Sequence, residues 1–224
     1  MSYATKQSRP PNPARSGKRN AQLSRSRIIA AATQEFAGRG YDGARMDAIA
    51  ARAEVSKNLL YHYFSSKEGL FIAVMEEVYR VMRHHHQDLL LQKLDPVAAI
   101  ERLIRSVHNL FVERQEILTL LNSENLYKAQ HIRKSKTIAG LYNPLLDALI
   151  DIHRRGVEDG TFRKDVDPVD LYISISGLSY FYVANNHTLG FIFHQELMQP
   201  ERLAAREQHI VDVILGYLQS NPGS

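Results

Sequence analysis

V-S-K-N-L-L-Y-H-Y-F-S-S-K-E-G-L-F, residues 55 to 71, reads as two helices joined at a short break. The first is capped by Ser56 and pauses at Ser65 and Ser66; the second starts near Lys67. A helix of seven or eight residues does not hold itself together in water, because nucleation costs more than so few hydrogen bonds return. Something must press on it, and Leu60, Tyr63 and Phe64 are the residues expected to face inward. Lys57, Asn58, Leu59, Tyr61 and His62 then face out, offering a cation, two amide or imidazole hydrogen-bonders, a phenol and an apolar contact. Such a face suits phosphates and base edges.

Upstream, Ser24 is a good N-cap for a helix that carries Ile29, Ala32 and Phe36 on one face and ends at Gly38 and Gly40. A second short helix is expected over roughly Arg45 to Ala53, burying Ile49 and Ala50. Three short helices with tight connections make a helix-turn-helix unit. Residues 1 to 23 hold Pro10, Pro11, Pro13, Gly17 and five basic residues. Nothing there offsets the entropy of ordering the backbone, so this segment is expected to be a disordered basic arm.

Charge divides the chain in the same place. The whole carries +4, yet residues 1 to 64 hold eleven Lys or Arg against four Asp or Glu, a surplus of seven. The remainder holds 17 against 20. A basic head on a slightly acidic body is the electrostatic footprint of a polyanion binder. With no cysteine, disulfides and thiolate metal sites are excluded. No run approaches the roughly 18 to 20 apolar residues that span a bilayer, and the first residues lack an apolar secretory core. A cytoplasmic protein without a membrane partner is expected.

Beyond Lys67 the pattern lengthens. Leu70, Phe71, Val74, Met75, Val78 and Met82 keep a helical period. Asp95-Pro96 supplies an N-cap followed by a first-turn proline, opening a helix with Ile100, Leu103, Ile104, Val107, Leu110 and Phe111 on its apolar side. Further helices are expected at about 116 to 128, 134 to 156, 167 to 188 and 200 to 219. The fold class is therefore all-α, with about nine helices and domains at 1–23, 24–70 and 71–224. Around Leu171 to Val183 the sequence is apolar on more than one side, and a helix apolar all round must be buried all round. Paired with the stripe of Leu203, Ile210, Val213, Ile214, Tyr217 and Leu218, it suits packing against a second copy as a four-helix bundle.

The run F-A-G-R-G-Y-D-G-A-R-M-D-A-I-A-A-R-A-E-V-S-K-N-L-L-Y-H-Y-F-S-S-K-E-G-L-F, residues 36 to 71, resembles the DNA-binding domain of the TetR family of bacterial transcriptional regulators. G-V-E-D-G-T-F-R-K-D-V-D-P, residues 156 to 168, looks like that family's joint before the last two helices, which form its dimer interface. The stretch that follows is similar to a subgroup of catabolic repressors that includes a regulator of nicotinate degradation. The resemblance implies a C-terminal ligand-binding and dimerisation domain and DNA contacts at Arg27, Arg45, Met46, Ser56, Lys57, Asn58, Leu59, Tyr61, His62 and Lys67. Asn58 fits a base-edge reader, since an amide pairs with adenine through two hydrogen bonds. Leu59 and Ala44 depart from the pattern: leucine cannot hydrogen-bond a phosphate where Thr or Ser is usual, and Arg45 takes over a contact that Ala44 cannot make.

The function so implied is a homodimeric repressor on double-stranded operator DNA. Its two recognition helices would enter successive major grooves of a near-palindromic site about 34 to 36 Å apart. A small-molecule effector, its ring character hinted at by the aromatic content, would release the DNA by preferring the incompatible state. Polar residues interrupting apolar faces, His108, Asn122, Tyr127, Tyr142, Tyr180, Asn185 and Asn186, are the ligand candidates. No cofactor is implied. His84, His85 and His86 fan out by about 100° each around a helix and do not converge on one metal ion. An enzyme is disfavoured because no catalytic carboxylate pair, Ser-His-Asp set or phosphate-cradling loop appears at usable spacing. The alternative is a helical ligand-binding or interaction protein without specific DNA binding.

Overall fold

The computed structural model describes residues 13–85, 89–140 and 144–219, and among these every regular element is helical. The chain divides into two compact units, one up to Val74 and one from Met75.

The first unit holds α1 (Pro13–Gly43), α2 (Met46–Arg52), α3 (Lys57–Phe64) and the start of α4 (Lys67–His85). Its core is Ile28, Ala32, Phe36, Ile49, Leu60, Leu70 and Phe71, all with no exposed surface. Each of the larger of these side chains contributes roughly 1.5–3 kcal/mol, which holds α2 and α3 in shape although neither could stand alone. Phe36 and Phe71 meet edge to face at 5.0 Å. At Gly40 the backbone leaves the helical region with φ 68°, a conformation that glycine adopts without steric cost. The helix start differs from the expectation: α1 begins at Pro13, not after Ser24. Once the packed turns around Ile28 are nucleated, adding residues N-terminally is cheap, and Tyr63 donates its hydroxyl to the Ala21 carbonyl at 3.2 Å. The arm's first twelve residues lie outside the described residues.

The second unit continues α4 and adds α5 (Pro96–Glu113), α6 (Gln115–Leu126), α7 (Lys136–Ala139), α8 (Pro144–Glu158), α9 (Pro168–Ala184), α10 (Asn186–Phe193) and α11 (Pro200–Gln219). The expected Asp-Pro starts are present. Asp95 accepts from Ala98 N–H at 2.9 Å, and Asp167 accepts from Val169 and Asp170 N–H. One apolar core joins α5, α8, α9 and α11 through Ile100, Leu103, Ile104, Leu149, Ile152, Ile175, Ile210 and Leu218. Eleven α-helices are described rather than about nine. The helix expected over 134 to 156 is two, α7 and α8, the second starting on Pro144, whose missing N–H suits a first turn and not an interior. The one expected over 167 to 188 breaks at Asn185, where α10 begins. No helix among the described residues is long and apolar enough to cross a membrane.

Candidate nucleic-acid interface

Local rules build the α2–α3 turn. Ala53 and Val55 N–H close the end of α2 on the Ile49 and Ala50 carbonyls, and Glu54 sits between them at φ 53°. Ser56 then caps α3 by accepting from Leu59 N–H at 3.2 Å. Leu60 and Phe64 are buried and Tyr63 is half-buried, so the inward face is the expected one. At the far end, Ser65 takes φ 55° and Ser66 caps α4 through Gly69 N–H at 3.0 Å. The turn from α3 to α4 is therefore fixed by two consecutive serines.

On the outward side Lys57, Asn58, Tyr61 and His62 are exposed, while Leu59 is half-buried. Ser56, which the cap occupies, is also exposed. Several expected DNA contacts are already engaged. Lys57 Nζ pairs with Asp47 at 2.7 Å, and the lysine holds that carboxyl below its ordinary range. Lys67 donates to the Asp42 carbonyl at 2.9 Å and lies over the Tyr41 ring. Arg27 forms an ion pair with Glu54. Each remains on the surface, so a phosphate can replace or share the partner; an exposed pair of this kind is worth little in water. Arg45 is exposed at the N-cap of α2 and Met46 is half-buried beside it. One residue that sequence reasoning missed organises this corner. Glu35, 3% exposed, accepts from Arg45 N–H at 3.3 Å and pairs with Arg39 at 3.4 Å and Arg52 at 3.9 Å. It ties α1 to the start of α2.

The ligand candidates fall in the second unit. His108 is buried at 1% exposed. Burial pushes its pKa below the ordinary imidazole value, while the Glu207 carboxylate and the Leu203 backbone pull the other way. Tyr180 donates to Asn122 and meets Phe111 edge to face. Asn122 and Asn186 line a shallow pocket of about 120 Å³ with Gln115, Thr119 and His187. Asn185 and Asn186, however, spend their amides on the end of α9, donating to the Phe181 and Val183 carbonyls. Tyr127 packs its ring 5.3 Å from that of His131. Tyr142 lies outside the described residues. Asn122, Tyr180 and Asn186 come together around that pocket, whereas His108 and Tyr127 do not line it. Sequence reasoning also passed over the buried pair Glu124 and His131: the carboxylate accepts from His131 Nδ1 at 2.7 Å and from His131 and Ile132 N–H at 2.9 and 3.0 Å. Glu124 does fall on the buried stripe of α6 with Ile117 and Leu120, a signal left unread, whereas His131 lies outside any α-helix. His85 bonds the Ser106 carbonyl, and no group of three metal-ligating side chains occurs among the described residues.

A helix-turn-helix head, with a polar and cationic outer face on a larger all-helical body, is the build of a DNA-binding transcriptional regulator. Comparison with known proteins gives the family. Residues 28–74 match the bacterial regulatory proteins of the tetR family, and residues 96–214 match the tetracyclin repressor-like C-terminal domain. The HTH-type transcriptional repressor NicS of Pseudomonas putida is 32% identical over 195 residues, covering 87% of this chain and 92% of NicS. The HTH-type transcriptional activator FasR of Mycolicibacterium smegmatis is 50% identical over 52 residues, 23% of this chain and 24% of FasR. Among solved structures, the transcriptional regulator SCO4942 of Streptomyces coelicolor superposes with a TM-score of 0.66 at 25% identity, covering 87% of this chain and 98% of that one. The chain belongs to the TetR family of bacterial transcriptional regulators and is not an enzyme.

Proposed function

We propose that the chain is a repressor that binds a near-palindromic operator as a homodimer in the cytoplasm and is released by a small-molecule effector. The outer face of α3 is the observation that carries this reading: Lys57, Asn58, Tyr61 and His62 stand exposed on a helix whose other side is wedged into a core. Lys57, Lys67, Arg27 and Arg45 would hold phosphates. Asn58 would read a base edge, and half-buried Leu59 would meet a thymine methyl. The domain from α1 to the start of α4 is the DNA-binding part, and the remainder is the ligand-binding and dimerising part.

The dimer rests on a second observation. Val169, Ile173 and Phe181 on α9, and Val213 on α11, are exposed apolar residues, and beside them Tyr217 is exposed with the Arg163 guanidinium over its ring. They flank a groove of about 510 Å³ lined by Leu171, Leu178 and Ile214 among others. Contiguous apolar surface of this kind marks a protein interface, and a two-fold copy is the commonest cover. The repressive sense is supported by the likeness to NicS across most of both chains.

The test is a titration of the protein against DNA flanking its own gene. The expected result is a saturable complex that competitor DNA of other sequence displaces only at large excess. Equal affinity for flanking and unrelated DNA at every salt concentration would leave an interaction protein on this fold as the better account.

A further inference from the structure

Three consecutive large apolar residues stand in water on α10: Phe191 is 81% exposed, Ile192 61% and Phe193 60%. Successive residues of a helix point about 100° apart, so the three cover more than half of its circumference, and no residue of α10 is buried. The turn that carries them is nonetheless firmly built. Asn186 donates its amide to the Val183 carbonyl at 2.7 Å, and Tyr182 donates its hydroxyl to the carbonyl of buried Leu197 at 2.8 Å. Beyond the tip, Gln195 N–H returns to the Gly190 carbonyl at 3.0 Å, a turn so close that an added Cβ at Gly190 would come 2.8 Å from the Gln195 carbonyl oxygen. Residues 186 to 199 are thus an arm with a fixed base and an apolar tip. A helix that is apolar on several sides needs cover on several sides, so the tip suits a recess in another molecule better than a flat surface.

The α9–α11 groove is such a recess, and it lies at the far end of the same face. The two helices run antiparallel: Arg206, early in α11, donates to the Leu178 carbonyl and lies over the Tyr182 ring late in α9, whereas Val213 and Tyr217, late in α11, line the groove with Leu171 and Ser174, early in α9. The exposed face of α9 leads from the groove to the arm, through Ile173 and Phe181, and the Phe181 carbonyl accepts from Asn185, the residue before α10. A two-fold axis crossing α9 near Gly177, midway between Ile173 and Phe181, turns a second copy end for end; an added Cβ at Gly177 would meet nothing within 4 Å. Each arm then arrives at the groove of the other copy. A cavity of about 150 Å³ holds one benzene ring, so a groove of about 510 Å³ has room for two phenyl rings. Residues 186 to 199 contain no Lys or Arg, which removes the basic flank by which an apolar helix is drawn to an anionic membrane. We infer that α10 is a dimerisation arm whose tip, residues 191 to 193, seats in the α9–α11 groove of the second copy. The inference rests on the dimer reading above and adds to it the arm and its seat. In such an isologous pair both arms engage together, so every side chain of the tip counts twice.

The experiment compares the full-length protein with a variant carrying Phe191→Ser and Phe193→Ser by analytical ultracentrifugation. Both side chains are exposed in the single chain, so helix content by circular dichroism should not change, while the dimer dissociation constant should rise about a hundredfold or more, because two large apolar side chains are lost from each of two arms. Cross-linking locates the seat. The chain has no cysteine, so Phe191→Cys combined with Ser174→Cys, or with Val213→Cys, can be oxidised without competition. At least one combination should give a covalent dimer on a non-reducing gel, and Phe191→Cys alone should not, since the crosswise axis keeps the two arms apart. A dimer whose dissociation constant ignores the serine substitutions, and that neither combination cross-links, would overturn the arm and leave the dimer standing. A covalent dimer through Phe191→Cys alone would place the arms against each other and overturn the seat. A wild-type protein that stays monomeric at every concentration would sink the dimer reading and the arm with it. Vesicles of phosphatidylcholine and phosphatidylglycerol should not bind the protein; binding that the serine substitutions abolish would give the tip to a membrane surface instead.

Discussion

Gly69 sits in the first turn of α4, immediately after the paired serines that end α3, and replacing it by alanine sets two effects of opposite sign against each other. A helical glycine changed to alanine ordinarily gains up to about 1 kcal/mol, because glycine loses more backbone entropy on folding. Here an added Cβ would come 2.5 Å from the Phe64 carbonyl oxygen and 3.3 Å from Ser66 Oγ. The first is backbone, in the last turn of α3, and cannot swing aside; overpacking of this kind costs about 1–3 kcal/mol. The contact wins by about 1 kcal/mol, which for a unit of 60 to 100 residues corresponds to a fall of about 4–8 °C in melting temperature. Calorimetry should show this loss in the transition of the first unit, with the second left in place. Because the carbonyl that must move is at the end of the recognition helix, operator affinity should fall with it. A Gly69→Ala protein that melts at or above the wild-type temperature would refute the close approach and with it the rigid α3–α4 turn.

Glu124→Ala should destabilise the second unit by about 3–5 kcal/mol, since it strands a buried imidazole and two backbone N–H groups; a loss under about 1 kcal/mol in urea unfolding would mean the pair is not buried as described. His108 gives a pH dependence whose sign follows from burial. Its folded pKa lies below the ordinary 6.5, so below 6.5 the unfolded chain takes up a proton more readily than the folded one. Its contribution is complete above that pH and is lost as pH falls through 6.5 toward the folded pKa. His108→Leu should therefore flatten the acid side of a melting-temperature profile from pH 8 to 5, and an unchanged profile would contradict the assignment. Lys57→Ala should make the salt dependence of operator binding shallower by about 1.8 per dimer, at 0.9 per phosphate contact. An unaltered slope would mean that Asp47, 2.7 Å from the ammonium, keeps Lys57 off the DNA.

The sequence was most legible where a local signal and a burial pattern agreed. Ser56, Asp95 and Asp167 each bear the capping bond that their position suggests, and Leu60 and Phe64 face the core as the spacing requires. It was least legible where tertiary contact overrides local preference. Pro13 to Leu23 reads as an arm because it lacks apolar residues, yet it prolongs a helix already nucleated by Ile28 and Phe36, with Tyr63 reaching back to Ala21. Asn185 and Asn186 looked like ligand groups because they interrupt an apolar run, but an asparagine two or three residues past the last apolar turn is as well suited to ending the helix. Glu35 and Glu124 sit on the buried faces of their helices, but polar residues at such positions do not by themselves show whether they are buried; the partners that settle it, Arg52 and the Arg45 N–H for Glu35 and His131 for Glu124, lie on other elements. His108 was legible as a polar residue inside an apolar stripe; that it is buried beside Leu203 and Glu207 of α11 needed the packing of α5 against its neighbours.

The claim that the outer face of α3 reads DNA meets its most direct test in Asn58→Ala. Fluorescence anisotropy would give the affinities of wild type and variant for the operator and for unrelated DNA across a range of salt concentrations. Asn58 is exposed within α3, so folding should be unaffected. The account predicts that the ratio of specific to non-specific affinity drops by about 1–3 kcal/mol per half-site, with preference lost at a single base pair and the salt slope unchanged. A variant that keeps the wild-type ratio would contradict it.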